Sequence, residues 1–127
     1  MNWKAVARDT AIVLGLTFLG GMVVGVAFGV MGAQGSEQMQ IAIGFSNITF
    51  GVVAFTIAGC LARTNRFRHL FIVAAVSWII SLMNLLLGYT LAQWLIGGVL
   101  FLIMVGIGGG LSFLFVRTPQ TDHAQEV

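Results

Sequence analysis

The sequence predicts an all-α fold, an integral membrane four-helix bundle, from three observations. Of its 127 residues, 58% are hydrophobic and only 8% are charged, whereas ordinary soluble domains carry about 25% charged residues. Residues 10–34, 39–62 and 70–116 are uncharged, and a helix needs about 20 apolar residues to cross the hydrocarbon layer. The six basic residues fall in segments that four spans would place on one side of the membrane. We therefore expect a single transmembrane domain over residues 1–127.

The first predicted helix covers residues 10–32. A secretory signal peptide has an apolar segment of about 7 to 15 residues, and this longer run predicts a retained helix. Gly21, Gly25 and Gly29 recur every fourth residue and so share one side of the helix. Such a glycine zipper lets a second helix approach closely in lipid. A phosphate-binding loop is excluded, because the lysine and hydroxyl residue that it requires are missing here.

The second and third predicted helices, residues 40–62 and 69–88, each carry a small-residue stripe with one asparagine. The stripe on the second helix includes the candidate packing residues Gly51, Ala54 and Ala58. Asn47 and Asn84 lie at matching depths, roughly 22 Å from the same membrane surface at 1.5 Å per residue. We expect these asparagines either to face each other or to line a polar cavity, whose candidate residues are Asn47, Ser77, Ser81 and Asn84.

The fourth predicted helix covers residues 92–116, after a hairpin at residues 87–90. It contains four glycines within five residues, at Gly106, Gly108, Gly109 and Gly110. Each costs a soluble helix about 1 kcal/mol relative to alanine, so this turn should be locally weak. Two interpretations stay open, tight packing against a neighbour and a hinge that lines a cavity. The polar tail, residues 118–127, is predicted to be short and disordered.

The basic residues predict the orientation of the chain. They are Lys4, Arg8, Arg63, Arg66, Arg68 and Arg117, and the loops on the other side carry no Lys or Arg. The positive-inside rule then places both termini in the cytoplasm, and we expect the membrane to be the bacterial plasma membrane. The basic side chains should set this topology and contact anionic lipid headgroups, at about 1 kcal/mol each. No nucleic-acid partner is expected.

The residues available for chemistry are few. Cys60 is the single cysteine, so a disulfide within the chain and a thiol metal cluster are excluded. The predicted spans hold no Asp, Glu, Lys or Arg, which disfavours a proton-coupled pump. His69 is expected to be an interfacial side chain without a partner, and the serines lack a base within reach. We therefore predict no enzyme activity, no catalytic residue, no cofactor and no metal.

Two families of similar size provide comparisons. Small multidrug exporters also have four helices, but they depend on a glutamate in the first helix, and the first predicted helix here has none. Asn47 and residues 109–113 faintly resemble segments of dual-topology fluoride channels. The glycine and serine element lies in the last helix here, however, and the charge bias argues against insertion in both orientations. We assign the chain to neither family.

Two functions survive these exclusions. The expected one is a structural or accessory subunit, whose small-residue seams pack the helices together and dock them against copies of itself or a larger membrane complex. The alternative is a small channel or facilitator for a neutral or weakly charged solute, lined by the candidate cavity residues of the second and third helices. The lipid bilayer is a partner in either case.

Overall fold

The computed structural model describes residues 2–62 and 65–116, and the regular elements of this part are all α-helices. They are α1 (Trp3–Val30), α2 (Glu37–Leu61), α3 (Arg66–Ile80), α4 (Met83–Leu86) and α5 (Leu91–Phe115). Helices α1, α2 and α5, and the segment Arg66–Leu86, are long and apolar enough to cross a membrane. The predicted all-helical architecture with four membrane-length segments is confirmed for the described residues.

The helices form a bundle in which α2 packs mainly against α1 and α5, while α3 packs against α5 and α1. The order around the bundle is therefore α1, α2, α5, α3. Fully buried apolar side chains from all four long helices fill the centre: Val13, Phe55, Leu70, Val73 and Val105. The ring of Phe55 also meets that of Phe101 edge to face, with centroids 6.2 Å apart.

Helix α1 begins seven residues before its predicted start, at Trp3 instead of residue 10. The Asn2 side chain caps it by accepting a hydrogen bond from the Ala5 backbone N–H at 3.3 Å. At 1.5 Å per residue, its 28 residues extend about 42 Å, and a hydrocarbon layer is about 30 Å thick. Helix α1 is therefore longer than such a layer is thick, and its charged first turns belong to the same helix as its apolar part.

The far end of α1 closes with a glycine cap. Gly32 adopts φ 69°, a left-handed conformation that glycine reaches without steric cost. The Ala33 backbone N–H then reaches back to the Phe28 carbonyl at 3.0 Å, which satisfies a carbonyl that the helix leaves open. Ser36 caps the start of α2 by accepting from the Met39 N–H. Together these caps form the short turn between α1 and α2.

The third predicted helix, residues 69–88, corresponds to the membrane-length segment Arg66–Leu86, but the regular helix is interrupted within this segment. Helix α3 ends at Ile80, and a single turn, α4, follows. The Ser81 hydroxyl donates to the Trp78 carbonyl at 2.6 Å, while the Leu82 N–H bonds to the Ile79 carbonyl. A hydroxyl that bonds back to the preceding turn competes with the helical ladder, and the chain tightens into three-residue turns here.

Helices α2 and α5 lie close to their predicted bounds of 40–62 and 92–116. A capping box begins α5: the Thr90 side chain accepts from the Gln93 N–H, and the Gln93 side chain accepts from the Thr90 N–H. Residues 118–127, Arg63 and Arg117 lie outside the described residues.

Candidate functional site

A pocket opens at the end of the bundle where Lys4, Arg8, Arg66 and Arg68 lie, called here the basic end. Its volume is about 500 Å³, and it lies between the start of α1, the end of α2 and the start of α3. Its lining combines polar and apolar side chains: Asn2, Ala5, Arg8, Asp9, Leu61, Ala62, Asn65, Arg68, His69 and Ile72. This is where the structure concentrates its titratable groups.

Asp9 is the buried charge of the pocket wall. Its carboxylate has no solvent-exposed surface, and its Oδ1 accepts a hydrogen bond from Arg8 Nε at 2.7 Å. The other oxygen, Oδ2, lies 2.7 Å from Nε2 of His69, whose side chain is 15% exposed. An ionised carboxylate only accepts hydrogen bonds, so this contact requires the form of His69 that carries a proton on Nε2. The arrangement supplies the pairing without which a buried charge is very costly.

The helical phase of α1 explains why Asp9 is buried. Val6 and Val13 are buried as well, and they lie three residues before and four residues after Asp9. Residues with this spacing share one face of a helix. Asp9 therefore follows the inward face of α1 toward α3, where His69 meets it. The Asp9 and His69 pair joins two helices whose ends are distant in sequence.

Arg66 forms a second buried contact at the basic end. It is 6% exposed, and its Nη1 donates to the Ser112 hydroxyl at 3.3 Å while its Nη2 reaches the Val116 carbonyl at 3.5 Å. Its guanidinium also lies 4.3 Å from the ring centroid of Phe113, within the range of a cation–π contact. Arg66 thus ties α3 to α5 and has little surface left for the lipid headgroups predicted to contact it. Lys4, Arg8 and Arg68 are exposed.

The residues of the predicted polar cavity differ in exposure and in the use of their polar groups. Asn47 and Asn84 are both exposed, Ser77 is fully buried, and Ser81 uses its hydroxyl within its own helix. Among the described residues no hydrogen bond joins Asn47 to Asn84, and the two alternatives expected for them, direct contact or a shared cavity, stay predictions. Helices α2 and α3 are not neighbours in the order around the bundle, and the Asn47 side chain lies beside Gly21 of α1.

The predicted packing residues divide between the two helices that carry them. On α2, Gly51, Ala54 and Ala58 are buried, and a Cβ at Gly51 would collide with the Met104 sulfur. On α1, a Cβ at Gly21 would lie 3.7 Å from Asn47 Oδ1, and one at Gly25 would meet no atom within 4 Å.

The close approach of α1 to α2 occurs instead beside the predicted stripe. A Cβ at Gly20 would lie 2.6 Å from the Phe50 ring and 2.8 Å from the Ser46 hydroxyl. A Cβ at Gly29 would meet only the Gln34 side chain, at 3.1 Å, in the turn that follows α1. The contact between α1 and α2 is therefore shifted by one residue from the glycine zipper.

The candidate hinge lies in an unbroken stretch of α5. A Cβ at Gly108 would lie 2.8 Å from the Val52 carbonyl oxygen, and one at Gly109 would lie 2.9 Å from the Phe67 ring. At Gly106 and Gly110 the same addition meets no atom within 4 Å. Two of these glycines thus permit packing inside the bundle, and two face away from it; motion at this turn stays a prediction.

Sequence reasoning missed Asp9 and assigned His69 no partner. The prediction began the first helix at residue 10, which excluded the charged turn before it, whereas α1 includes Lys4, Arg8 and Asp9. The premise that the first span lacks ionisable residues therefore does not hold for α1. One signal was available: Asp9 directly precedes the first apolar run, in phase with Val6 and Val13.

Two observations concern whether this part of the molecule could hold a metal ion. In the described part of the chain, no group of three His, Cys, Asp or Glu side chains could hold a metal ion. The Asp9 carboxylate is already occupied by two donors. No protein-family model, curated protein or solved structure matches the chain.

Proposed function

We propose that this protein is a multi-pass membrane protein that acts as a structural or accessory subunit. Its outward-facing glycines would dock another transmembrane helix, from a second copy or from a larger membrane complex. The observation that carries this proposal is the number of helix glycines with open space beside them. Among the residues that the structure describes, a Cβ would meet no atom within 4 Å at Gly15, Gly25, Gly44, Gly97, Gly106 and Gly110.

An outward-facing glycine needs a reason. It weakens a helix by about 1 kcal/mol relative to alanine, and it offers lipid no side chain to contact. In a membrane, small residues are enriched where two helix backbones approach closely. Gly106 and Gly110 are four residues apart and both exposed, so they form the small-residue pair typical of a helix contact. Exposed Val99, Leu102 and Ile103 on the same side of α5 would flank the contact.

The orientation proposed for this subunit places the basic end in the cytoplasm of a bacterium. Lys4, Arg8, Arg66 and Arg68 lie at that end, whereas Glu37 begins α2 at the other. This asymmetry supports cytoplasmic termini through the positive-inside rule. A reporter fused to the C-terminus tests it: a cytoplasmic fluorescent protein should fold and fluoresce, and an alkaline phosphatase fused at the same point should be inactive.

The docking proposal is tested by native mass spectrometry of the full chain extracted in mild detergent. We expect the wild type to be found in a defined complex, and Gly106→Leu with Gly110→Leu to release it as a monomer. The matched control enlarges two exposed alanines, Ala75→Leu with Ala92→Leu, and should leave the complex intact. A wild type that is monomeric, or a complex that survives the glycine changes, would contradict docking through this face.

A further inference from the structure

The pocket at the basic end offers hydrogen-bond donors to a ligand, because its carboxylate is covered. Both oxygens of Asp9 are engaged, and the side chain has no exposed surface. Arg8 uses Nε for this contact, and its side chain remains 50% exposed. Its two terminal nitrogens are thus available to a ligand. Because the carboxylate in this pocket is buried and the basic side chains are exposed, the pocket favours an anion.

Two further groups add to this donor set. Arg68 lines the pocket and is exposed. Asn65 also lines it, in a left-handed conformation with φ 45° and with no capping hydrogen bond from its side chain. One guanidinium group can donate two parallel hydrogen bonds to two oxygens of a phosphate, which makes arginine the residue best suited to this anion. The donors come from α1, from α3 and from the connection that precedes α3.

Apart from Asn2, the rest of the wall is apolar. Ala5, Leu61, Ala62 and Ile72 contribute to it. The volume of about 500 Å³ falls within the range of roughly 300 to 1,000 Å³ typical of small-molecule sites. A ligand with a charged head and an apolar remainder would match both kinds of surface.

We propose that this pocket binds a phosphate group, with Arg8 and Arg68 as its ligands and with Asp9 and His69 as positioning residues. The phosphate belongs either to an anionic phospholipid headgroup or to free inorganic phosphate. Basic pockets between transmembrane helices are suited to anionic headgroups. The Asp9 contacts fix Arg8 and His69 in place before a ligand arrives, which lowers the ordering cost of binding. This site is separate from the glycine face of α5 and does not depend on the proposed docking.

The experiment measures binding by the purified full chain in detergent, using native mass spectrometry and thermal shift. The probes are phosphatidylglycerol, diacylglycerol with the same acyl chains, and inorganic phosphate. We expect one saturable phosphatidylglycerol per chain and no comparable binding of diacylglycerol, which lacks phosphate. If inorganic phosphate does not displace the lipid, the headgroup is the source. If it binds saturably and competes, the site also accepts the free anion. Equal binding of both lipids, or no saturable binding of either phosphate probe, overturns the proposal.

Matched variants separate a built site from general positive charge. Arg68→Gln should weaken phosphate binding about tenfold, since a hydrogen bond between charged groups is lost. Lys4→Gln removes the same charge from the same end, but Lys4 does not line the pocket, and it should bind as the wild type does. Arg68→Lys should recover part of the loss. If Arg68→Gln and Lys4→Gln weaken binding equally, the attraction is diffuse and the pocket is not the site.

Discussion

The two ends of the bundle hold their helices together by different chemistry. At the basic end, Asp9 pairs with His69 between α1 and α3, and Arg66 bonds to Ser112 between α3 and α5. At the opposite end, Trp78 and Trp94 stack with ring centroids 4.4 Å apart and planes 13° apart. Each indole N–H donates to the backbone carbonyl of the other tryptophan, at 3.0 and 3.2 Å. One end depends on charge, the other on neutral groups.

This difference predicts unequal tolerance to change. Removing a buried group that makes hydrogen bonds with charged partners typically costs about 1.5–3 kcal/mol. Removing one neutral hydrogen bond costs about 1 kcal/mol. Substitutions at the basic end should therefore cost more stability than substitutions at the opposite end, although both ends join α3 to a neighbouring helix.

The largest expected effect follows from removing the buried carboxylate. Asp9→Leu leaves Arg8 and His69 without their shared acceptor, and we expect the free energy of unfolding to fall by about 2–3 kcal/mol. Denaturation by a titration of sodium dodecyl sulfate, followed by tryptophan fluorescence, measures this change. Glu37→Leu, at an exposed acidic residue on α2, is the control and should change the free energy by less than about 0.5 kcal/mol.

The double variant Asp9→Leu with His69→Leu tests whether the pair itself is responsible. Because it removes both partners, it should recover part of the stability that Asp9→Leu loses. If the stability losses of Asp9→Leu and of His69→Leu, each measured alone, add up to that of the double variant, the contact between Asp9 and His69 does not couple α1 to α3. The basic end would then resemble the neutral end.

A smaller loss of stability is expected where an added Cβ would enter a close contact between helices, and this loss should differ between the two halves of the bundle. At Gly108, near the basic end, an added Cβ would meet backbone atoms of α2, the Val52 carbonyl and the Thr56 N–H. At Gly98, near the tryptophan pair, it would meet the Trp78 ring. Backbone cannot move without separating the helices, so we expect Gly108→Ala to cost about 1–3 kcal/mol, typical of overpacking. Gly98→Ala should cost less in the same unfolding assay.

Gly106→Ala is the control for these two substitutions. Its Cβ would meet no neighbour among the described residues, and alanine is the better helix former by about 1 kcal/mol. The monomer should be as stable as the wild type or slightly more stable. A cost at Gly98 equal to that at Gly108 would show that the tryptophan ring is as fixed as backbone.

The helical architecture could be predicted because the length of an apolar run is read directly from the order of residues along the chain. Long uncharged runs predicted the four membrane-length segments, and the Gly51, Ala54 and Ala58 stripe predicted a buried face of α2. The break after Ile80 could not be predicted from those runs. At the break the Trp78 carbonyl accepts from the Ser81 hydroxyl and from Trp94 Nε1, and the second of these contacts joins distant segments.

The candidate site was missed for a different reason. A hydropathy boundary at residue 10 treated the preceding turn as lying outside the bundle, whereas the cap at Asn2 lets the helix begin earlier. Helical periodicity extended back from Val13 places Asp9 and Val6 on the same face, so the burial of Asp9 could have been predicted from the sequence. Its partner was not, because the pairing with His69 depends on how α3 lies against α1.

The smallest expected effect concerns the neutral end. Trp78→Phe removes one indole donor and keeps an aromatic ring against Trp94, so it should cost about 1 kcal/mol, the worth of one hydrogen bond. The exciton signal of two stacked indoles in the circular dichroism spectrum should disappear at the same time. Trp3→Phe, at an exposed tryptophan, should alter neither quantity. If Trp78→Phe instead costs as much as Asp9→Leu, the neutral contact fixes the helices as firmly as the buried charge does. The contrast between the ends would then lie in their chemistry alone, without a difference in how much each stabilises the bundle.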